Sequence, residues 1–419
     1  MHVPFARPSL TGGESGAVAR VISSGWLSQG AEVQAFETAF AGRVGAADAV
    51  ATTSCTTALQ LALHVSGIGP GDEVIVPSLS FIATANSVWQ CGAIPIFADI
   101  DPLTYNLDPA SAERAITPRT RAIMPVHQIG LPADMDEFLE LGSRYNLQIV
   151  EDAACAIGAS YKGMPVGAMS SLACFSFHPR KVITTGEGGM IAVQDPEVAK
   201  RLRRLRAHGM DVSDLARHTA QDVVLEQYVE RGWNYRMTDI QAAIGLCQLG
   251  ALDGILERRR IVADRYTAAM ADIDYLQPPF DPTDRVRTWQ SYCVRLSPDS
   301  PVDRADLMRR LLRDGIPTRR GVMASHEEPC YADEVSGLRA LPHTIAAARD
   351  TLMLPLFADM TFEQQDYVIE RLKQHTLSKT PARDSARASV ASRPPPRTRE
   401  KASFGTDSPS QRATTTGSA

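Results

Sequence analysis

Between residues 49 and 152 the chain alternates short apolar runs with longer periodic ones, and that alternation leaves few folds open. Residues 49–51, 74–76 (closed by Pro77), 96–98, 122–126 and 149–150 each read as a buried strand. Between them, residues 58–63, 82–89 and 135–145 carry helical spacing, and Gly67 and Gly92 stop the first two. A strand–helix–strand rhythm of this kind predicts the α/β class, with a mostly parallel sheet covered by helices. Ligands of such sheets gather beyond the carboxyl ends of the strands. The turn after Ala51, the segment after Pro77, the pair Glu151-Asp152 and Lys181 all fall at such ends.

Lys181 lies in the stretch Cys174-Phe175-Ser176-Phe177-His178-Pro179-Arg180-Lys181. An alternating apolar run breaks at His178-Pro179, a Gly186/Gly188/Gly189 turn follows, and Met190-Ile191-Ala192-Val193 reads as another buried strand. A lysine between two buried strands is desolvated, which lowers its pKa toward the nucleophilic free base. That is the form needed for a Schiff base with a carbonyl or with pyridoxal phosphate. The alternative is a lysine reaching the surface from a loop.

Several neighbours fit the same chemistry, each with an ordinary reading beside it. Asp152 ends a strand and would keep a pyridine nitrogen protonated, while Ala153 and Ala154 would admit a flat ring. It would equally serve as a helix N-cap. Thr52-Thr53-Ser54-Cys55-Thr56-Thr57 opens a helix and would cradle a phosphate, or simply cap that helix. Phe81 would lie against an aromatic face or join the core. Ser176 and His178 share one face of their strand and would reach a phosphate or a substrate oxygen.

Length and composition set the frame. The 419 residues suggest two lobes: residues 1–250 with an N-terminal arm and one helix near 32–44, and a smaller α/β domain over 251–375. Residues 376–419 form a tail, rich in Ser, Thr, Pro and Arg from Ser378 on and nearly devoid of large apolar side chains, which predicts disorder. A net charge of -5 argues against nucleic acid as a main partner. No run is long enough to span a membrane, and the first residues lack a signal-peptide pattern. Seven scattered cysteines without metal spacing point to a reducing, cytoplasmic setting.

The run from Cys174 to Gly189 resembles the signature of the nucleotide-sugar aminotransferases of DegT/DnrJ/StrS type, which are pyridoxal-phosphate enzymes of fold type I. The likeness takes in Ser54-Cys55-Thr56-Thr57-Ala58-Leu59, Gly71-Asp72-Glu73-Val74-Ile75-Val76-Pro77, Val126-His127 with Gly130, and Glu151-Asp152-Ala153-Ala154. It continues through Asn234-Tyr235-Arg236-Met237-Thr238-Asp239 and covers roughly residues 8–373.

The resemblance implies roles. Lys181 would bind the cofactor pyridoxal 5'-phosphate and later shuttle the proton. Asp152 would pair with the ring nitrogen, Phe81 and Ala154 would take the two ring faces, and Cys55, Thr56 and Ser176 would hold the phosphate. Asn234 would reach the phosphate from a neighbouring subunit, implying a homodimer with shared active sites. Glu187 sits beside the site with no role fixed. Cys155 stands where many members carry glutamine, and Ile157 where they carry histidine, which puts the ring-hydroxyl contact in question. Relatives with histidine for the lysine are dehydratases, a branch that Lys181 argues against. The implied reaction moves nitrogen from glutamate to a nucleotide-linked keto-sugar, with C4 of a 4-keto-6-deoxy sugar (perosamine-type) as the nearest likeness. Arg319 and Arg320, near His326, would meet the nucleotide diphosphate or stand as solvated charge. A cyclitol ketone as acceptor and a non-catalytic cofactor-binding regulator are the alternatives.

Overall fold

A computed structural model describes residues 1–331 and 340–377. The tail predicted from the sequence therefore lies, from residue 378 on, outside the described residues. In chain order the strands begin with β1 (Asp48–Thr52), β2 (Glu73–Pro77), β3 (Ile94–Ala98), β4 (Thr120–Ile123) and β5 (Gln148–Asp152). A hairpin of β6 (Ser160–Tyr161) and β7 (Met164–Pro165) leads to β8 (Leu172–Ser176) and β9 (Gly189–Val193). Then come β10 (Leu276–Gln277), β11 (Arg285–Val286), β12 (Tyr292–Leu296), β13 (Arg319–Arg320) and β14 (Thr351–Leu354).

Seven strands form the main sheet in the order β1-β9-β8-β5-β4-β2-β3. The pairings from β3 through β8 are parallel, and β9 runs antiparallel to both its neighbours. Every residue of β2, β8 and β9 is buried, as expected for strands covered on both faces. Because β9 is reversed, its first residue, Gly189, lies at the edge where β1, β5 and β8 end. Thr52 and Ser176 pair with Gly189, and Asp152 pairs with Cys174. A second sheet, β10-β12-β14-β13, is wholly antiparallel. Its core gathers Tyr266, Tyr292, Val294, Leu311, Leu352 and Leu372, with helices over Leu252–Met270, Arg304–Arg313 and Phe362–Leu377.

The N-terminal stretch holds two helices rather than the single one expected. Glu14–Ser24 precedes Ala31–Val44 and ends at Gly25, whose positive φ of 76° closes the turn onto Ile22 O. Its Ala17 and Val21 pack on Ala243. The first residues are pinned elsewhere: Val3 N donates to Gly315 O and Phe5 O accepts from Leu356 N.

One buried polar pair braces the strand ends. His127 and Glu151 have fully buried side chains, and His127 Nε2 lies 2.8 Å from Glu151 Oε2. Ala133 N donates to His127 Nδ1, so the ring proton sits on Nε2 and is donated to Glu151. Glu151 Oε1 accepts from Ser170 N, and His127 N donates to Asp152 O. Replacing His127 by alanine strands a buried carboxylate and leaves a cavity. A loss of about 3–5 kcal/mol is expected in denaturant unfolding. A loss below 1 kcal/mol, by the ordinary scale of one neutral hydrogen bond, would show that the pair is no brace.

Candidate active site

The turn after β1 is built as a helix start. Ser54, extended at φ -163°, caps the helix Cys55–Val65: its Oγ accepts from Thr57 N, and Thr57 Oγ1 accepts from Ser54 N. The capping read from the sequence is thus present, and it uses the third N–H only. The N–H groups of Cys55 and Thr56, first in the helix, have no acceptor within it and stand at its positive end. Cys55 itself is buried, its Sγ turned to Cys174 O, and burial pushes its thiol well up. What it presents to the site is backbone.

Gly189 closes this turn from the other side. A Cβ there would lie 2.4 Å from Ser54 O and 2.7 Å from Cys55 N, both backbone atoms. Gly189→Ala must therefore push the turn away from the sheet. It is expected to cost about 1–3 kcal/mol, as overpacking does, and to weaken phosphate-containing ligands more than the stability loss explains. Unfolding and pyridoxal-phosphate titration of the same variant check this; unchanged binding would remove the turn from the site.

Asp152 ends β5 at 5% exposure. Thr84 Oγ1 donates to its Oδ2 at 2.8 Å, and Ala154 N donates to its Oδ1 at 3.2 Å. Thr84 is held in turn by Ser80 Oγ at 2.7 Å. No helix starts after Asp152, so the N-cap alternative falls away. Phe81, between Ser80 and Thr84, keeps 57% of its surface exposed, an apolar ring left uncovered beyond β2. Ala154 is half-buried on the Asp152 turn, and Ser176 ends β8 with its Oγ accepting from His178 N.

Lys181 is half-buried, and its Nζ donates to Cys155 Sγ at 3.1 Å. Burial pulls the amine down, as the sequence suggested. The neighbouring Cys155, Cys55 and Asp152 outweigh it, and the pKa stands above the ordinary lysine value. Lys181 meets Cys155, three residues beyond Asp152, while Asp152 pairs with Cys174 and the Cys55 sulfur turns to Cys174 O, which gathers the four at the strand ends. Cys155 is itself fixed, since Thr288 Oγ1 donates to its carbonyl at 2.7 Å.

Other candidates sit at the margin. His178 and Glu187 face each other at 4.0 Å, and burial holds His178 below the usual histidine value. His326 meets Ser78 Oγ, while Ser325 bonds Ser78 and Ser80, so this segment is tied to the one carrying Phe81. Arg319 and Arg320 lie on β13. Arg319 stacks over Phe5 at 5.5 Å, and Arg320 pairs with Glu328 at 2.9 Å in a cleft of about 470 Å³ with Arg304, Ile345 and Arg349. Asn234 is exposed; Tyr235 beside it accepts from Thr53 N. Sequence reasoning missed Thr84 and Thr288. Thr84 had a faint signal, one helical turn past Ser80; Thr288 had none.

Comparison with known proteins decides what this arrangement belongs to. The DegT/DnrJ/EryC1/StrS aminotransferase family matches residues 8–373. The chain belongs to that family. The spore coat polysaccharide biosynthesis protein SpsC of Bacillus subtilis (strain 168) is 38% identical over 374 residues, 88% of this chain and 96% of SpsC. The solved structure of DesV from S. venezuelae is similar at 36% identity and TM-score 0.80, covering 90% of this chain and 99% of DesV. The sugar aminotransferase Spr1654 of Streptococcus pneumoniae, in its PLP-form, is similar at 28% identity and TM-score 0.82, covering 90% and 99%.

As a DegT/DnrJ/EryC1/StrS aminotransferase, the protein is a pyridoxal-phosphate enzyme of the sugar aminotransferase kind. Its own residues fit that cofactor: two free N–H groups at a helix start, an acid at a strand end, an uncovered aromatic ring and a lysine between them. Among the described residues no helix is long and apolar enough to cross a membrane, and no cluster of His, Cys, Asp and Glu would hold a metal.

Proposed function

We propose that this enzyme moves the amino group of glutamate to C4 of a nucleotide-linked 4-keto-6-deoxy sugar. The observation that carries the reading is Lys181 Nζ against Cys155, three residues beyond Asp152 at the end of β5, beside the turn of Cys55 and Thr56. Relatives concerned with spore coat polysaccharide and with sugar amination support the acceptor class.

Pyridoxal phosphate, when bound, supplies an aldehyde for the amine and a ring that draws electrons from the amino acid's α-carbon. The chain does the rest. Cys55 and Thr56 N–H groups and Ser176 Oγ hold the phosphate. Asp152, oriented by Thr84, keeps its carboxylate toward the ring nitrogen. Phe81 covers one face and Ala154 the other. Lys181 would take up at its Nζ the proton that leaves the amino acid's α-carbon. His178, Glu187 and His326 border the space left for substrate, and Arg319 and Arg320 are the cations offered to the nucleotide diphosphate. Asn234, exposed in one subunit, completes the phosphate site of its partner in a homodimer.

The test is in two stages. Glutamate added to the purified enzyme should shift the cofactor's absorbance to that of the pyridoxamine form. The aminated enzyme should then discharge onto a nucleotide-linked 4-keto-6-deoxy sugar, with the product's nitrogen placed at C4 by NMR. Discharge onto inosose instead would overturn the sugar acceptor. No response to glutamate would overturn the enzyme in favour of a cofactor-binding regulator.

A further inference from the structure

We propose that Cys155 and Lys181 form a peroxide-responsive modification site, in which oxidation of the thiol joins Sγ to Nζ as a sulfenamide and takes the lysine out of service. Cys155 is not an isolated thiol. Its sulfur accepts from Lys181 Nζ at 3.1 Å, the separation at which reacting atoms sit before a bond forms. Both partners are held there. Cys155 O accepts from Thr288 Oγ1, whose backbone N donates to Gly130 O, and Lys181 N donates to His178 O at 2.8 Å. A Cβ on Gly130 would lie 2.9 Å from Cys155 O, so the turn packs tightly against that carbonyl.

The other cysteines are placed differently. Cys55 and Cys91 turn their sulfurs to carbonyls, Cys174 and Cys293 are buried, Cys247 is half-buried beside the cluster of Ala17, Val21 and Ala243, and Cys330 is exposed. Among the described residues Cys155 is the one cysteine whose sulfur meets an amine, and half-burial leaves it open to a small oxidant.

The chemistry balances on this pair. In the form that reacts, a thiolate beside an ammonium, the pair carries three protons. Sulfur attacks hydrogen peroxide, the O–O bond breaks, and sulfur becomes a sulfenic acid, oxidised by two electrons. The hydroxide that leaves takes a proton from the pair and departs as water, so Nζ is left as a free amine. That amine attacks sulfur, the S–OH bond breaks, and a second water leaves. Sulfenic acids condense with backbone nitrogen to sulfenamides, and a free amine is a stronger nucleophile than an amide. The product has lost two hydrogens, and a thiol reductant reverses it. Formation of the link does not rest on the proposed sugar; only its prevention by bound cofactor rests on Lys181 holding pyridoxal phosphate.

Cofactor-free full-length protein is treated with hydrogen peroxide, its remaining thiols are blocked, and non-reduced peptides are weighed by mass spectrometry. The expected result is the Cys155 and Lys181 peptides joined, two hydrogens lighter than their sum, and released by dithiothreitol. Cys155→Ser should give no link, and Lys181→Ala should divert Cys155 to sulfinic acid. Recovery of wild-type Cys155 as sulfinic acid, or in a disulfide, with Lys181 unmodified overturns the proposal, whether or not the variants fold. Preloading with pyridoxal phosphate should suppress the link. A link formed equally in preloaded protein upholds the pair while overturning the placement of the cofactor on Lys181.

Discussion

Replacing Lys181 by alanine is expected to slow both halves of the transamination by about 10⁴-fold, the upper end for a positioned proton-transfer group. The side chain combines two duties in the proposed reaction, holding the cofactor and moving the proton, so its loss removes both. The expected damage to the fold is small. Lys181 is half-buried and among the described residues its amine bonds only Cys155, a contact worth about 1 kcal/mol or less. Phosphate binding should survive, because the Cys55–Thr56 turn is braced by Ser54 and Thr57 and owes nothing to Lys181. Borohydride should fix cofactor to Lys181 in the native protein and leave none attached in the variant. Single-turnover kinetics with glutamate measures the rate. A variant that aminates its cofactor at near the native rate would end the assignment of this lysine.

Most of the sheet was readable from the sequence because its strands are short apolar runs bounded by strong punctuation. The helix Met135–Tyr145 has the same bounds in sequence and structure. The helix Glu14–Ser24 was hidden, since Gly13, Gly16 and Ser23-Ser24-Gly25 disguise its apolar spacing. It is held by packing on Ala243, which no local pattern announces. Candidate site residues were legible where a junction marked them: Asp152 at a strand end, Cys55 and Thr56 at a helix start, Lys181 between two strands. Their supports were not. Thr84 meets Asp152 across 68 positions, and Thr288 meets Cys155 across 133. The protonation of Lys181 was misread for the same reason. Burial is visible in the sequence near the residue, but the sulfurs and carboxylate that oppose it come from other segments: the turn after β5, the helix start at Cys55 and the end of β5. Arg319 likewise looked free until the N-terminal arm brought Phe5 beneath it.

Asp152→Asn should slow catalysis by about 10²–10³-fold, the range for removing one electrostatic contact from a reacting centre. Asparagine has nearly the same shape, and its amide oxygen still accepts from Thr84 Oγ1. What it lacks is the charge that holds a proton on a ring nitrogen, where charge-assisted bonds are about twice as strong as neutral ones. The contact with Ala154 N is the structural casualty, because an amide NH₂ cannot accept from it; about 1–2 kcal/mol of stability should be lost. That loss is too small to unfold a protein of ordinary stability. Thr84→Val separates orientation from charge. It keeps the carboxylate but frees Oδ2 from its donor at 2.8 Å, and a smaller fall, about tenfold, is expected. Rates with glutamate, the cofactor's absorption spectrum and thermal midpoints on the three proteins decide between these effects. Native rates in Asp152→Asn with cofactor still bound would mean that another group sets the ring's protonation. Equal losses in both variants would mean that Asp152 acts through its position alone.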